Sequence, residues 1–375
     1  MSLFGSRPAL RWLVPSAAAV VVIGGGAAAG TIVASADPSL PARSAAQLLV
    51  DVQNAHVDGL SGTIVQTADL GLPALPGLTA GNTDLAKMVT GNNSARVWYA
   101  GQDRMRVAAQ SLLGETDVIR NGRDVWLWRS KDNTATHLTL PRDGQDKPKA
   151  LPSGVPSTPQ EAADAALAAI DPTTQVSTTG AAEVAGRDAY ELVLAPRDTA
   201  SLLGQVRLAI DAETHIPLRV DVYAKDATTP AVRVAFQQIS FTTPDPQQFV
   251  FNPPAGAKVD TAKPHADADA DHAKAPLGTK PPAAEVKGHE PTVVGKGWTS
   301  VVVAKLPDGW QKQAGEKQGG AAMVGAVLDS LPKVSGTWGS GRLLSSALFS
   351  ALLTDDGRVL IGAVAPERLY QVAAG

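Results

Sequence analysis

The sequence predicts a mainly β, α+β protein: a large antiparallel sheet wrapped around one or two helices, followed by a small α+β domain. Three observations carry that reading. Asp117 to Leu140 reads as three strands separated by two turns, the first turn being Asn121-Gly122, a dipeptide that tolerates positive φ at both residues. Side chains alternate along a strand, so Trp126 and Trp128 share one face and Val125, Leu127 and Arg129 the other. Both faces are largely apolar, so both need covering, which favours a wrapped sheet over a flat one with a wet face. Finally, 27 Pro, 35 Gly and only 18% charged residues in 375 favour short strands and many turns over long helices.

From the N-terminus, residues 1–36 form a targeting segment. Arg7 and Arg11 precede a run from Leu13 to Ala34 with no charge, and Ala34-Ser35-Ala36 has the small residues a signal peptidase reads. The run is also long enough to span a bilayer, so it is either a cleaved signal or a retained membrane anchor. Both place the rest of the chain outside the cytoplasmic membrane.

Residues 37–258 are the large domain. Ser44 to Asn54 reads as an amphipathic helix, with Ser44 as N-cap and Ala45, Leu48, Leu49 and Val52 on one stripe. Strands are expected at Thr63 to Thr67, Ala95 to Ala100 and Arg104 to Ala109, leading into the Asp117 to Leu140 stretch. Between the first two, Leu70 to Gly81 is apolar but broken by Pro73, Pro76 and Gly77; it is either a plain loop or a flap over a cavity mouth. A second helix is expected from Pro159 to Ile170, with Thr158 and Glu161 forming a capping box. Further strands follow at Ala189 to Leu194, Val206 to Asp211, Leu218 to Tyr223 and Val232 to Phe241, and Pro253-Pro254 closes the domain.

Residues 259–291 read as a flexible linker of Ala, Asp, Lys, His and Pro. His265, His272 and His289 lie there beside Asp267, Asp269 and Asp271, but a solvated spacer suits them better than a metal site. Residues 292–375 form the small domain, with strands expected at Ser300 to Ala304 and Arg358 to Val364. Ala321 to Leu331 is read as a short helix or strand and Leu343 to Leu353 as a helix.

The chain has no Cys, which excludes disulfides, thiol nucleophiles and Cys metal sites. A net charge of −3 gives no reason to expect nucleic acid as partner. No catalytic, metal or cofactor motif is present: His56, His137 and His215 are isolated, Gly295 to Ser300 is glycine-rich but not a phosphate loop, and Ser340 lies between two glycines. Binding is expected, not catalysis, with no cofactor. Trp98, Trp126 and Trp128 are the candidate ligand-cavity residues, the alternative being plain packing of a sheet against a helix.

Four segments carry a family resemblance: Asn121 to Trp128, Gly186 to Leu192, Ile210-Asp211 through Ile216 to Arg219, and Phe249 to Gly256. In this order they resemble the LolA/RseB superfamily of periplasmic lipid- and lipoprotein-binding domains, over roughly residues 44–259. The resemblance implies an unclosed β-barrel curled round helices, with an apolar cavity for the acyl chains of a lipid or acylated lipoprotein. Trp298 to Trp310 resembles the start of the RseB C-terminal domain, which implies a second partner class, a membrane-bound anti-sigma factor. One departure stands out. The lipoprotein carriers of the family have a latching Arg just after the strand matching Val97-Trp98-Tyr99, where this chain has Ala100-Gly101; no latch residue carries over.

Overall fold

The computed structural model describes residues 40–72, 91–111, 114–140, 172–262, 291–306 and 328–375. The targeting segment, most of the Leu70 to Gly81 segment, the Pro159 helix, most of the linker and Trp310 lie outside them.

Helix α1, Ala45–Asn54, starts at a reciprocal cap: Ser44 Oγ accepts from Gln47 N at 3.2 Å and Gln47 Oε1 accepts from Ser44 N at 2.9 Å. Twelve strands then make one mainly antiparallel sheet. They are β1 Leu60–Ala68, β2 Gly91–Tyr99, β3 Arg104–Ser111, β4 Gly114–Asn121, β5 Asp124–Arg129, β6 Thr134–Thr139, β7 Thr174–Val184, β8 Arg187–Pro196, β9 Leu203–Asp211, β10 Pro217–Ala224, β11 Val232–Ser240 and β12 Lys258–Ala262. The order is β12-β6-β5-β4-β3-β2-β1-β11-β10-β9-β8-β7. Two meanders therefore meet where β1 pairs with β11. The sheet is curled but not closed: β7 comes close to β11, which it does not neighbour in the sheet order, yet β7 and β12 remain two separate edges.

Turn chemistry accounts for the tight connections. The turn between β4 and β5 lies one residue later than the Asn121-Gly122 reading: Asn121 already pairs with Asp124, so the turn residues are Gly122, at φ +61°, and Arg123, and Gly101 (φ +76°) lets Ala100 N reach Arg104 O at 2.9 Å between β2 and β3. Ala100-Gly101, where the lipoprotein carriers have their latch arginine, is thus part of a two-strand turn.

The two edge strands were not expected. β7 is polar, contains Gly180 and carries a bulge between Thr178 and Ala181. β12 lies at the boundary of the segment read as a linker and runs parallel to β6, the only parallel pair in this sheet among the described residues. Neither has the apolar alternation by which central strands announce themselves, because an edge strand has a neighbour on one side only.

The small domain is a six-stranded sheet, order β13-β14-β18-β17-β16-β15, built from β13 Thr292–Val294, β14 Val301–Lys305, β15 Lys333–Gly336, β16 Gly339–Ser345, β17 Ser350–Thr354 and β18 Arg358–Gly362. Its core is Val301, Leu352, Leu360 and Val364 under Leu369 and Ala373 of helix α2, Pro366–Ala374, which starts with proline in its first turn. Leu343 to Leu353 corrects the sequence reading: it is two strands and a turn, not a helix. Ser346 Oγ accepts from Phe349 N at 3.1 Å and Leu348 N at 3.3 Å, and Ser346 N donates to Phe349 O at 2.9 Å. A serine side chain competing for backbone partners turns the chain where apolar spacing alone reads as helix.

Candidate functional site

Hydrogen-bonded neighbours in a sheet share a face, so the register assigns every side chain in β1 to β6 to one face or the other. Leu192, Leu208 and Val220 pair in a row across β8, β9 and β10 and form the core cluster with Leu48 and Leu49 of α1. That row continues through Val234, Gln66 and Asn93. Further along, the same face carries Val97, Val107, Val118 and Leu127 in one row and Tyr99, Met105, Arg120, Val125 and Leu138 in the next. Most of these side chains are only half-buried, whereas the residues beneath α1 are sealed. The α1 face thus divides into a filled half over β8 to β10 and an apolar half over β2 to β6.

All three candidate tryptophans lie on the opposite face. Trp98 pairs with Arg106, Arg106 with Ile119, Ile119 with Trp126, and Trp126 with His137; Trp128 pairs with Asp117. Trp126 stacks on His137 at 4.2 Å, and Phe251 packs on Trp126 and Trp128 at 5.3 and 6.0 Å. Phe251 is delivered by a strap across β3 and β4: Asp245 caps a 3₁₀ turn, Pro246–Phe249, and Phe249 is fully buried. Trp98 instead lines a cleft of about 280 Å³ between β1, β2 and β11. Trp126 and Trp128 are therefore held against the strap and not beneath α1.

Electrostatics on this face centre on Arg106. Its Nε donates to the buried Asp117 carboxylate at 3.1 Å and its Nη1 to the Gln248 carbonyl at 3.5 Å, tying sheet to strap. Glu115 stands 4.0 Å from Arg106, and its carboxyl is pushed up to about 7, first by its hydrogen bond to Asp117 and then by burial. Further along the face, Arg219, Asp221, Arg233, Glu191 and Arg207 form a ladder of ion pairs across β8 to β11. At the β9–β10 turn the buried Asp211 carboxylate accepts from Arg187, from Glu213 N at 3.1 Å and from Thr214 N at 2.7 Å. These bonds hold Asp211 below the usual carboxylate range despite the opposing cost of burial.

Residues 90–255 match the family model described as the MucB/RseB N-terminal domain. Over these residues the large domain is MucB/RseB-like. Among solved structures, the chain is similar to Pseudomonas aeruginosa MucB, crystallised with MucA, at 15% identity, covering 88% of this chain and 96% of that one with a TM-score of 0.39. A LolA superfamily protein from Nitrosomonas europaea is similar at 11% identity over 56% of this chain and 99% of that one, with a TM-score of 0.20. An uncharacterized conserved protein from Thermus thermophilus is similar at 13% identity over 58% of this chain and 98% of that one, with a TM-score of 0.32. No curated protein matches the chain.

The MucB/RseB-like domain is joined to the small domain along a seam at β7 and the β8–β9 loop. Trp298 Nε1 donates to Thr174 Oγ1 at 2.7 Å, Leu202 N to Ala363 O at 2.8 Å, and Thr299 Oγ1 to Asp198 Oδ2 at 3.3 Å. A second contact runs from Ala347 N to Leu70 O at 2.7 Å. A cleft of about 450 Å³ opens at the seam between Lys225 and Arg368.

The histidines do not converge. His137 pairs with Asp124 at 2.9 Å, His215 lies 3.9 Å from Asp51, and His56 lies 3.7 Å from Asp58. Ser340 donates to Asp355, and Gly297–Thr299 is a 3₁₀ turn. Among the described residues, no group of three or more His, Asp or Glu could hold a metal ion, and no helix is long and apolar enough to cross a membrane.

Proposed function

We propose that this is an extracytoplasmic lipid- or lipoprotein-binding protein that holds acyl chains against the apolar half of its α1 face. One observation carries the reading: Val97, Val107, Val125 and Leu127 share that face without being sealed by α1. An alkyl chain laid there gains about 0.8 kcal/mol for each CH₂ it buries. Affinity comes from this surface, so the protein needs no catalytic group to act as carrier or chaperone. The match to the MucB/RseB N-terminal domain supports the same reading. The test is native mass spectrometry of the purified full chain. An acylated molecule should travel with the protein, and a chain that carries no lipid and takes up no acylated probe refutes the proposal.

A second reading has its own observation. The seam from Trp298 to Thr174 and from Ala363 to Leu202 docks the small domain on the MucB/RseB-like domain. It favours a sensor or regulator of an envelope-stress anti-sigma factor, acting through the C-terminal domain; MucB has been crystallised with MucA. Deleting residues 292–375 should then abolish capture of a membrane-bound partner.

A further inference from the structure

We infer that the Trp98 cleft is an oxyanion site for a soluble phosphate or sulfate ester, separate from the acyl surface. It lies on the face opposite α1 and is lined by Ser61, Thr63, Arg96, Trp98, Gln238 and Ser240. The bulge that shifts register between Thr63 and Ile64 sets Gln238 opposite Thr63, so the amide and three hydroxyls converge on one opening.

The cation comes from an arginine held against the Trp98 ring. The guanidinium of Arg96 lies 5.0 Å from the Trp98 ring centre and that of Arg106 lies 5.3 Å from it. The two arginines differ in what else they hold. Arg106 is committed to Asp117 and Gln248, whereas Arg96 is exposed and forms no ion pair or hydrogen bond among the described residues. The Trp98 ring holds the Arg96 guanidinium beside the cleft, and its N–H groups, not used in any ion pair or hydrogen bond among the described residues, are the donors arginine offers an oxyanion.

No carboxylate lines the cleft, so an anion meets no repulsion from its walls; Glu115, which feels the charge of Arg96, stands outside it. The donors on offer are the Arg96 edge, three hydroxyls and the Gln238 amide, more than the two oxygens of a carboxylate use and matched to the three free oxygens of a phosphate or sulfate ester. The site is also in mid-sheet, between β1, β2 and β11, with the acyl surface on the reverse side. A lipid lying on the α1 face cannot place its headgroup here, which is why the occupant is assigned as a soluble ester.

Calorimetric titration of the full chain with glucose 6-phosphate, glucose 6-sulfate and glucose tests this. Both esters should bind, glucose should not, and affinity should fall as salt rises. Arg96→Gln should weaken ester binding by about tenfold or more with the thermal midpoint unchanged, and Ser240→Ala should weaken it less. Equal binding of glucose and its esters, or equal binding by wild type and Arg96→Gln, overturns the inference. Vesicles of phosphatidylglycerol separate the two sources of phosphate: Arg96-dependent vesicle binding without ester binding would overturn the soluble-ester assignment in favour of a lipid headgroup. The acyl reading stands or falls independently, because Arg96→Gln leaves the α1 face untouched.

Discussion

Trp126 and Leu127 are consecutive in β5 but belong to opposite faces, so a pair of alanine substitutions tests the proposed acyl surface from both sides. Leu127→Ala removes three carbons from the row shared with Val118. At about 0.8 kcal/mol per buried CH₂, the acyl contact should lose about 2.4 kcal/mol, which is about 50-fold in Kd. Trp126→Ala removes a larger side chain, but one stacked on His137 beneath Phe251. It should leave acyl affinity within about twofold, since nothing on the α1 face changes. The assay is titration with a fluorescent acylated probe, with thermal midpoints of both variants confirming that each is folded at the assay temperature. The reasoning is refuted if Trp126→Ala weakens binding as much as Leu127→Ala does, because a ligand sensing both faces cannot lie on one.

Three more predictions concern stability and the seam. Asp211→Ala breaks the buried pair with Arg187 and the turn bonds from Glu213 and Thr214; since Arg187 is partly exposed and can resolvate, the loss should be about 3 kcal/mol, or about 6–12 °C in Tm, and a shift under about 2 °C would contradict it. Gly297→Ala drives a Cβ into the Thr173 side chain at a φ of +59°, so the seam should loosen and calorimetry should resolve two transitions where wild type should show one; a single unchanged transition would count against a docked small domain. Glu115 has its folded-state value raised to about 7 from 4.5, so the folded state holds that proton more tightly. Its contribution is fully present below pH 4.5 and is lost as pH rises from 4.5 through about 7, so wild type should lose more thermal stability than Glu115→Gln across that window; parallel Tm profiles would refute the assignment.

Much of the sheet was legible because its central strands bury two faces and have defined turns. Gly122 at its turn, the alternation in β9 and β10, and the Ser44 cap each encode a local conformation that tertiary packing does not override, although the turn falls at Gly122-Arg123, one residue past Asn121-Gly122. The polar edge strands β7 and β12 were silent because they bury little. The Leu343 to Leu353 segment misled because apolar spacing there fits a helix, while Ser346 decides for a turn. Alternation placed Trp126 and Trp128 together on one face, but which face α1 would cover depends on how β1 pairs with β11, strands far apart in sequence. No local pattern carries that information. The Trp98 cleft was half legible: Trp98 was singled out, whereas Arg96, Gln238 and Ser240 join it only through the same pairing.

That one long-range pairing also explains why the two proposed ligand surfaces coexist. β1 joins a meander whose α1 face is filled, β8 to β11, to one whose α1 face is only half-covered, β2 to β6. The filled meander supplies rigidity on both sides, with α1 on one and the ion-pair ladder from Glu191 to Arg233 on the other. Its edge strand β7 receives Trp298 of the small domain, which takes Thr174 Oγ1 as partner at an edge where no further strand pairs among the described residues. The open meander is steadied from the reverse side by the strap that buries Phe249 and is tied through Arg106. A strand clamped from behind can present an unsealed apolar front without collapsing onto itself, and that is the condition for a surface that waits for an acyl chain.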